Sequence, residues 1–189
     1  MAEPVSQRLT YDDLLQMPDD GPRYELIDGE AYIIPGPDAK HQTALLELAV
    51  QLRDAIRDRS RVFIAPFDVV LAMDTVLQPD VLLLAPASLS RIKRSLHGPP
   101  DLAVELLSPT IPSSIRRDRG IKLATYARFG VGEYWLVDLD KQAIEVYRLV
   151  AGTPPSYRLE GIHLPGDRVT TPLLPALSLD PATLFPDLS

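Results

Sequence analysis

Apolar and polar positions along this chain change period several times, and each change marks an element. Thr10, followed three residues later by Asp13, has the form of a capping box and opens a short helix in LTYDDLLQM. In YELIDGEAYII, two apolar runs flank Asp28-Gly29, the strongest short-range signal for a two-residue hairpin turn. After the loop PGPDAK, the residues Leu45, Leu48, Ala49, Leu52 and Ile56 recur at helical spacing and predict a helix over His41 to Arg59. RVFIAPFDVVLAM and QPDVLLLA then read as two strands meeting near Asp74-Thr75. A polar connection from Pro86 to Pro99 has room for a helical turn around SLSRIK. The apolar run Asp101–Leu107 is the next strand. SIRRDRGIKLATYARFG predicts a helix closed by Gly130, and EYWLVDLDKQAIEVYRLV a hairpin. Further on, YRLEGIHL and RVTTPLL are placed as a last hairpin ahead of a short helix near DPATLF.

From His41 to Asp138 the order is therefore helix, three strands, helix, strand. A helix between two apolar strands predicts a right-handed crossover in a buried, mixed sheet. The fold class is α/β, with an N-terminal β-hairpin and C-terminal β additions around that core. There is no internal repeat and no linker-like stretch, so residues 1–189 are expected to form a single domain.

Composition narrows the chemistry. Cysteine is absent, which excludes disulfides and thiolate metal sites. No apolar run reaches the roughly 18 residues of a spanning helix, and the first residues lack the apolar segment of a secretory signal. A cytoplasmic protein without a membrane partner is expected. The net charge of −7 argues against holding nucleic acid by bulk electrostatics, although a local basic groove is compatible with it. Only four of the 19 basic residues are lysines: Lys40, Lys93, Lys122 and Lys141.

Two acids stand where an apolar pattern should not tolerate them. Glu105 interrupts the run Leu102–Leu107, and Asp80 immediately precedes Val81–Leu84. If these strands are antiparallel neighbours joined by the 85–100 connection, the two carboxylates fall at one level of the sheet. At ~4 Å they would repel by about 4 kcal/mol at an effective dielectric near 20. A shared proton or a shared cation relieves that, and a hard divalent ion that keeps several waters suits the pair. The plainer reading of each acid is a partly exposed carboxylate paired with an arginine.

Lys122 is the third candidate. Its plainer reading is an i, i+4 partner of Asp118 on a solvated helix face. A helical projection makes Gly120, Leu123, Ala124 and Ala127 the close-packing stripe and points Lys122 away from it. Yet Asp118, Lys122, Tyr126 and Phe129 share a face, and two aromatics are out of place on a solvent surface. A compact ammonium that can approach neutrality also suits water activation better than guanidinium.

These residues, in this order, resemble the Uma-two family of restriction-endonuclease-like proteins, within the PD-(D/E)xK nuclease superfamily. The resemblance runs through LTYDDLLQMPDDGPRYELIDGE, APFDVVL, QPDVLLL, PDLAVELLSP and DRGIKLATYARFGVGEYWLVD. It implies a restriction-endonuclease-like αβββαβ core and metal-dependent cleavage of DNA. Mg²⁺ (or Mn²⁺) would be held by Asp80, Glu105 and the backbone carbonyl of Leu106. The motif lysine is missing, because Leu107 stands two residues after Glu105; the family pattern makes Lys122, on the following helix, its counterpart. Glu25 and His41 match further family positions, as site-lining residues or a second metal contact, with Gln78 and Tyr126 as lesser members. The plainer readings pair Glu25 with Arg23 and turn His41 to solvent. RIKR (91–94) and RRDR (116–119) flank the site in sequence and could contact phosphates. By analogy, cutting two strands with one site per subunit favours a homodimer.

Two other classes remain open at this point. One is a nuclease fold without catalysis, serving as a DNA-binding or protein-interaction module. The other is a metal-free, glycosidase-like carboxylate pair, for which a single Trp leaves little sugar-stacking surface.

Overall fold

In the computed structural model, which describes residues 8–18, 21–107 and 112–185, the local signals in the first third of the chain are all realised. Thr10 and Asp13 form a reciprocal capping box on α1 (Tyr11–Leu14). Asp28 and Gly29 take φ values of 52° and 81°, the paired left-handed geometry of a two-residue hairpin turn. They join β1 (Arg23–Ile27) to β2 (Glu30–Ile34). The next helix, α2 (Ala39–Ala55), starts where the Asp38 side chain accepts from the His41 backbone N–H at 2.8 Å. It stops at Ala55, short of the predicted Arg59, because Ile56 is already extended.

The first apolar run predicted as a single strand breaks in two, and the second yields one strand with a further short strand just ahead of it. The first gives β3 (Arg61–Ile64) and β4 (Val69–Ala72), and the segment up to Leu84 gives β5 (Thr75–Leu77) and β6 (Val81–Leu84). Pro66 and Pro79 sit in the gaps, where a residue without an N–H cannot continue a ladder. A 3₁₀ turn at Pro86–Arg91, earlier than SLSRIK, leads to the two-residue β7 (Leu96–His97) and then β8 (Leu102–Leu107).

The helix after β8 is one helical run in three parts: α3 (Pro112–Arg117), a wide π turn (Asp118–Lys122) and α4 (Leu123–Arg128). Gly130 follows at φ 83°, as a left-handed helix stop requires. Then come β9 (Glu133–Asp138), β10 (Ala143–Val150) and β11 (Ser156–His163). The predicted last hairpin is corrected: β11 pairs with β10, while β12 (Val169–Thr171) pairs with β13 (Leu174–Leu179). The closing DPATLF segment is a 3₁₀ turn, Pro181–Leu184.

Six strands form the main sheet in the order β11-β10-β9-β8-β6-β3. It is mixed, since β8 and β9 run parallel and every other pair is antiparallel. The elements α2, β3, β6, β8, helix, β9 give the expected αβββαβ order. The intervening β4, β5 and β7 are diverted into a second sheet, β2-β1-β5-β4-β7. One face of the main sheet packs Val81, Leu83, Val104, Leu106 and Trp135 against Leu45, Leu48 and Leu52 of α2 and against the β12–β13 ribbon. Its other face, through Ala103, Leu107, Tyr134 and Leu136, meets Tyr126 of α4 and Ile27 and Leu77 of the second sheet. Among the described residues, no helix is long and apolar enough to cross a membrane.

Candidate active site

Val81 is the register partner of Val104 in the antiparallel β6–β8 pair. Asp80, one residue before β6, therefore stands across from Glu105, the arrangement the strand lengths predict. Alternation along β8 turns Ala103, Glu105 and Leu107 toward the helix and Val104 and Leu106 toward α2. Both acids border a cavity of about 300 Å³ where the hairpin, α2, the β3–β4 turn and the π turn come together.

The Glu105 side chain is buried and held from the helix. Its Oε1 accepts from Lys122 Nζ at 2.9 Å and from the Tyr126 hydroxyl at 3.0 Å. Lys122 Nζ also lies 2.9 Å from Glu25 Oε1 and 3.5 Å from Asp118 Oδ1. Glu25 Oε1 further accepts from the Gln78 backbone N–H at 2.9 Å. Across the cavity, Asp80 Oδ2 accepts from the Leu106 N–H at 2.7 Å and meets His41 Nε2 at 3.2 Å. Every candidate from the sequence is thus at or directly behind this cavity. Glu25 lies behind Lys122 and is fully buried. It pairs with Lys122 rather than Arg23, and His41 is buried against Asp80 rather than facing solvent.

Burial and mutual repulsion shape the charges. Burial pushes the Glu105 carboxyl well above its usual range; Lys122 opposes the shift, and the Asp118, Asp80 and Glu25 charges add to it. Asp118 is raised too, again chiefly by burial. For Lys122, burial favours the neutral amine, but Glu105, Glu25 and Asp118 outweigh it and hold the ammonium well above its usual value. Against a lysine approaching neutrality, its three acidic neighbours favour the ammonium. His41 is likewise raised, because the hydrogen bond and charge of Asp80 overcome the burial cost.

The predicted packing stripe is corrected in part. Ala127 is buried and Leu123 packs against the core, but Gly120 and Ala124 are exposed, and Asp118, Lys122, Thr125 and Tyr126 are buried instead. Hydrophobic projection misplaces the inner face because that face carries the charges. The π turn widens the helix at Asp118–Lys122, a feature that recurs at functional sites. The sequence reads Asp118 as a surface partner of Lys122, Arg117 only as part of the RRDR run and Arg23 only as a partner for Glu25; all three line the cavity. The shared face of Asp118, Lys122 and Tyr126 was the signal for Asp118. Among the flanking basic residues, Arg119 is spent on Asp138 and Glu145, at 2.9 and 2.7 Å, and RIKR is not part of the lining.

The donor set suits a hard divalent cation. Asp80, Glu105 and Asp118 line the cavity with Glu25 behind them, and Lys122, His41, Arg23 and Arg117 stand among them. Glu25 Oε2 and Asp118 Oδ1 are buried oxygens without a hydrogen-bond partner among the described residues. No three His, Asp or Glu side chains among the described residues converge as a ready-made cage. Two carboxylates plus waters are the usual protein share of a Mg²⁺ site.

A family model described as "Putative restriction endonuclease", Uma2, matches residues 11–182. The chain is also similar to a crystal structure described as a "putative nuclease belonging to DUF820" from Anabaena variabilis. The two share 24% identity over 94% of this chain and 97% of that one, with a TM-score of 0.76, a likeness of fold. No curated protein matches. From α1 through the last 3₁₀ turn, the match takes in both sheets and every residue around the cavity, and the chain belongs to the Uma2 family.

Proposed function

We propose that this protein is a metal-dependent DNA endonuclease of the PD-(D/E)xK type. The observation that carries the reading is the Asp80–Glu105 register across β6 and β8, with an ammonium delivered to Glu105 from the next helix. Asp80, Glu105 and the Leu106 carbonyl would hold Mg²⁺ or Mn²⁺. When bound, the ion would polarise the scissile phosphate and lower the pKa of a bound water. Lys122 stays protonated and supplies fixed positive charge toward the negative charge that develops on the phosphate. Tyr126 and Lys122 fix the Glu105 carboxylate, and His41 with the Leu106 N–H fix Asp80.

Purified protein is expected to cleave DNA only with Mg²⁺ or Mn²⁺, and Asp80→Ala and Glu105→Ala should each abolish cleavage. Activity retained in both variants would sink the assignment. The one feature favouring a non-catalytic module is Leu107 at the usual lysine position. Calorimetric titration with Mn²⁺ separates the readings, because a bare scaffold has no reason to bind an ion at the acid pair.

A further inference from the structure

Within the nuclease reading, on which this step rests, the cavity itself restricts the form of the substrate. Its volume of about 300 Å³ is at the small end for ligand pockets, which run ~300–1,000 Å³. That admits one nucleotide unit rather than two paired strands. Its floor is the chemistry described above, with Glu105, Asp118 and Lys122 all buried. Its walls include Pro35, Pro37, Ile64 and Pro66, apolar surfaces suited to a base or sugar face.

The cations at the cavity are few and specifically placed. Besides buried Lys122, the lining contains two, Arg23 and Arg117. Arg117 is anchored by its Nη1 donating to the Ile33 carbonyl at 3.2 Å and by stacking 5.7 Å from the Tyr32 ring centre. Its nearest carboxylate oxygen, Glu25 Oε2, is 3.9 Å away, and its Nε has no hydrogen-bond partner among the described residues. Arg23 makes no ion pair among the described residues. Two arginines beside the acid floor can engage about two phosphates. Duplex-tracking surfaces neutralise some 6–10, and the net charge of −7 adds no general attraction.

We infer that the cavity receives a single unpaired nucleotide, with Arg23 and Arg117 on its flanking phosphates, so that the substrate is single-stranded DNA or a frayed or flapped end. Binding to the intact wild-type chain in EDTA tests this without requiring cleavage. A labelled single strand and the same sequence as a hairpin-capped duplex are compared by fluorescence anisotropy across salt concentrations. The single strand should bind at least about ten-fold tighter, with a log K against log[salt] slope near −1.4 for two contacts. Equal or tighter binding of the capped duplex, or a slope steeper than about −5, would overturn the inference.

Arg117→Ala and Arg23→Ala should each weaken single-strand binding and flatten the slope by about 0.7, and Arg117→Lys should restore part of both. Unchanged binding in both alanine variants, each showing a wild-type circular dichroism spectrum, would overturn the role given to the arginines. With Mn²⁺ added, single strands and flaps should be cut and the capped duplex spared. If no DNA form is cut while the single-strand preference persists, the nuclease reading fails and the cavity stands as a single-strand binding site only.

Discussion

Lys122 is one ammonium shared by three carboxylates, and its removal should be felt first as instability. Glu25, Glu105 and Asp118 would be left buried beside one another with no counter-charge. Removing one partner of a buried ion pair costs about 3–5 kcal/mol. Lys122→Met should therefore lower unfolding stability in urea at pH 7 by roughly that amount; a loss below about 1 kcal/mol, the ceiling for exposed pairs, would mean the ammonium is not holding the acids. Two residues after Glu105, at Leu107, the surroundings do not suit a lysine. Leu107 lies on the Glu105 face of β8 but packs with Ala103, Tyr126, Val131 and Tyr134, 2% exposed. Leu107→Lys would bury an ammonium among tyrosines and apolar side chains, so the variant should lose several kcal/mol and melt well below wild type. A variant that melted like wild type would show that the position can accommodate a lysine. The two strand acids were readable from the sequence because a carboxylate in an apolar run is anomalous. Asp118 was not, because an acid four residues before a lysine has an ordinary surface explanation.

At the scale of elements, the sequence conveyed what local chemistry decides and lost what pairing decides. The Asp28-Gly29 turn, the Thr10–Asp13 box and the Gly130 stop are local, and all three are present. The destinations of β3 to β6 are not local. Val69–Ala72 and Val81–Leu84 are both wholly apolar, yet the first strand enters the second sheet and the other the main sheet. The misplaced final hairpin has the same origin, since β11 can pair on either side by pattern alone. The final ribbon is tied down by Asp180. Its carboxylate accepts from the Gly166 and Ala182 N–H groups, at 3.0 and 2.9 Å, and from Arg168 at 2.6 Å. The backbone donors and Arg168 lower its pKa from 3.8 to about 2. A depressed carboxylate stabilises the fold at pH above its unfolded value, and that contribution is lost as pH falls through the folded one. Stability should thus fall from about pH 4 to about 2 by a larger amount in wild type than in Asp180→Asn, measured by urea midpoints. Parallel curves would remove Asp180 from the account.

The whole molecule brings two sheets and two helices together around a cavity that holds an acid pair, and an ion bound there would have a thermodynamic signature. Asp80, Glu105 and Asp118 line the cavity and Glu25 lies behind them, while Lys122, His41, Arg23 and Arg117 supply the opposing charge. An ion that binds only the folded arrangement stabilises it by mass action, by about 2.7 kcal/mol at a hundred times its dissociation constant. For a chain of 189 residues, each kcal/mol shifts the melting midpoint by roughly 2–4 °C. Saturating Mn²⁺ should therefore raise Tm by about 5–11 °C, and EDTA should reverse the rise. Asp80→Asn keeps an acceptor for the Leu106 N–H but lacks the charge, so it should fold and show little or none of that rise. Glu105→Gln should behave the same way, since the two side chains face each other at one level of the sheet. If both variants gained as much from Mn²⁺ as the wild type, the ion would be binding elsewhere. The Asp80–Glu105 pair would then need another explanation for lying face to face on two apolar strands.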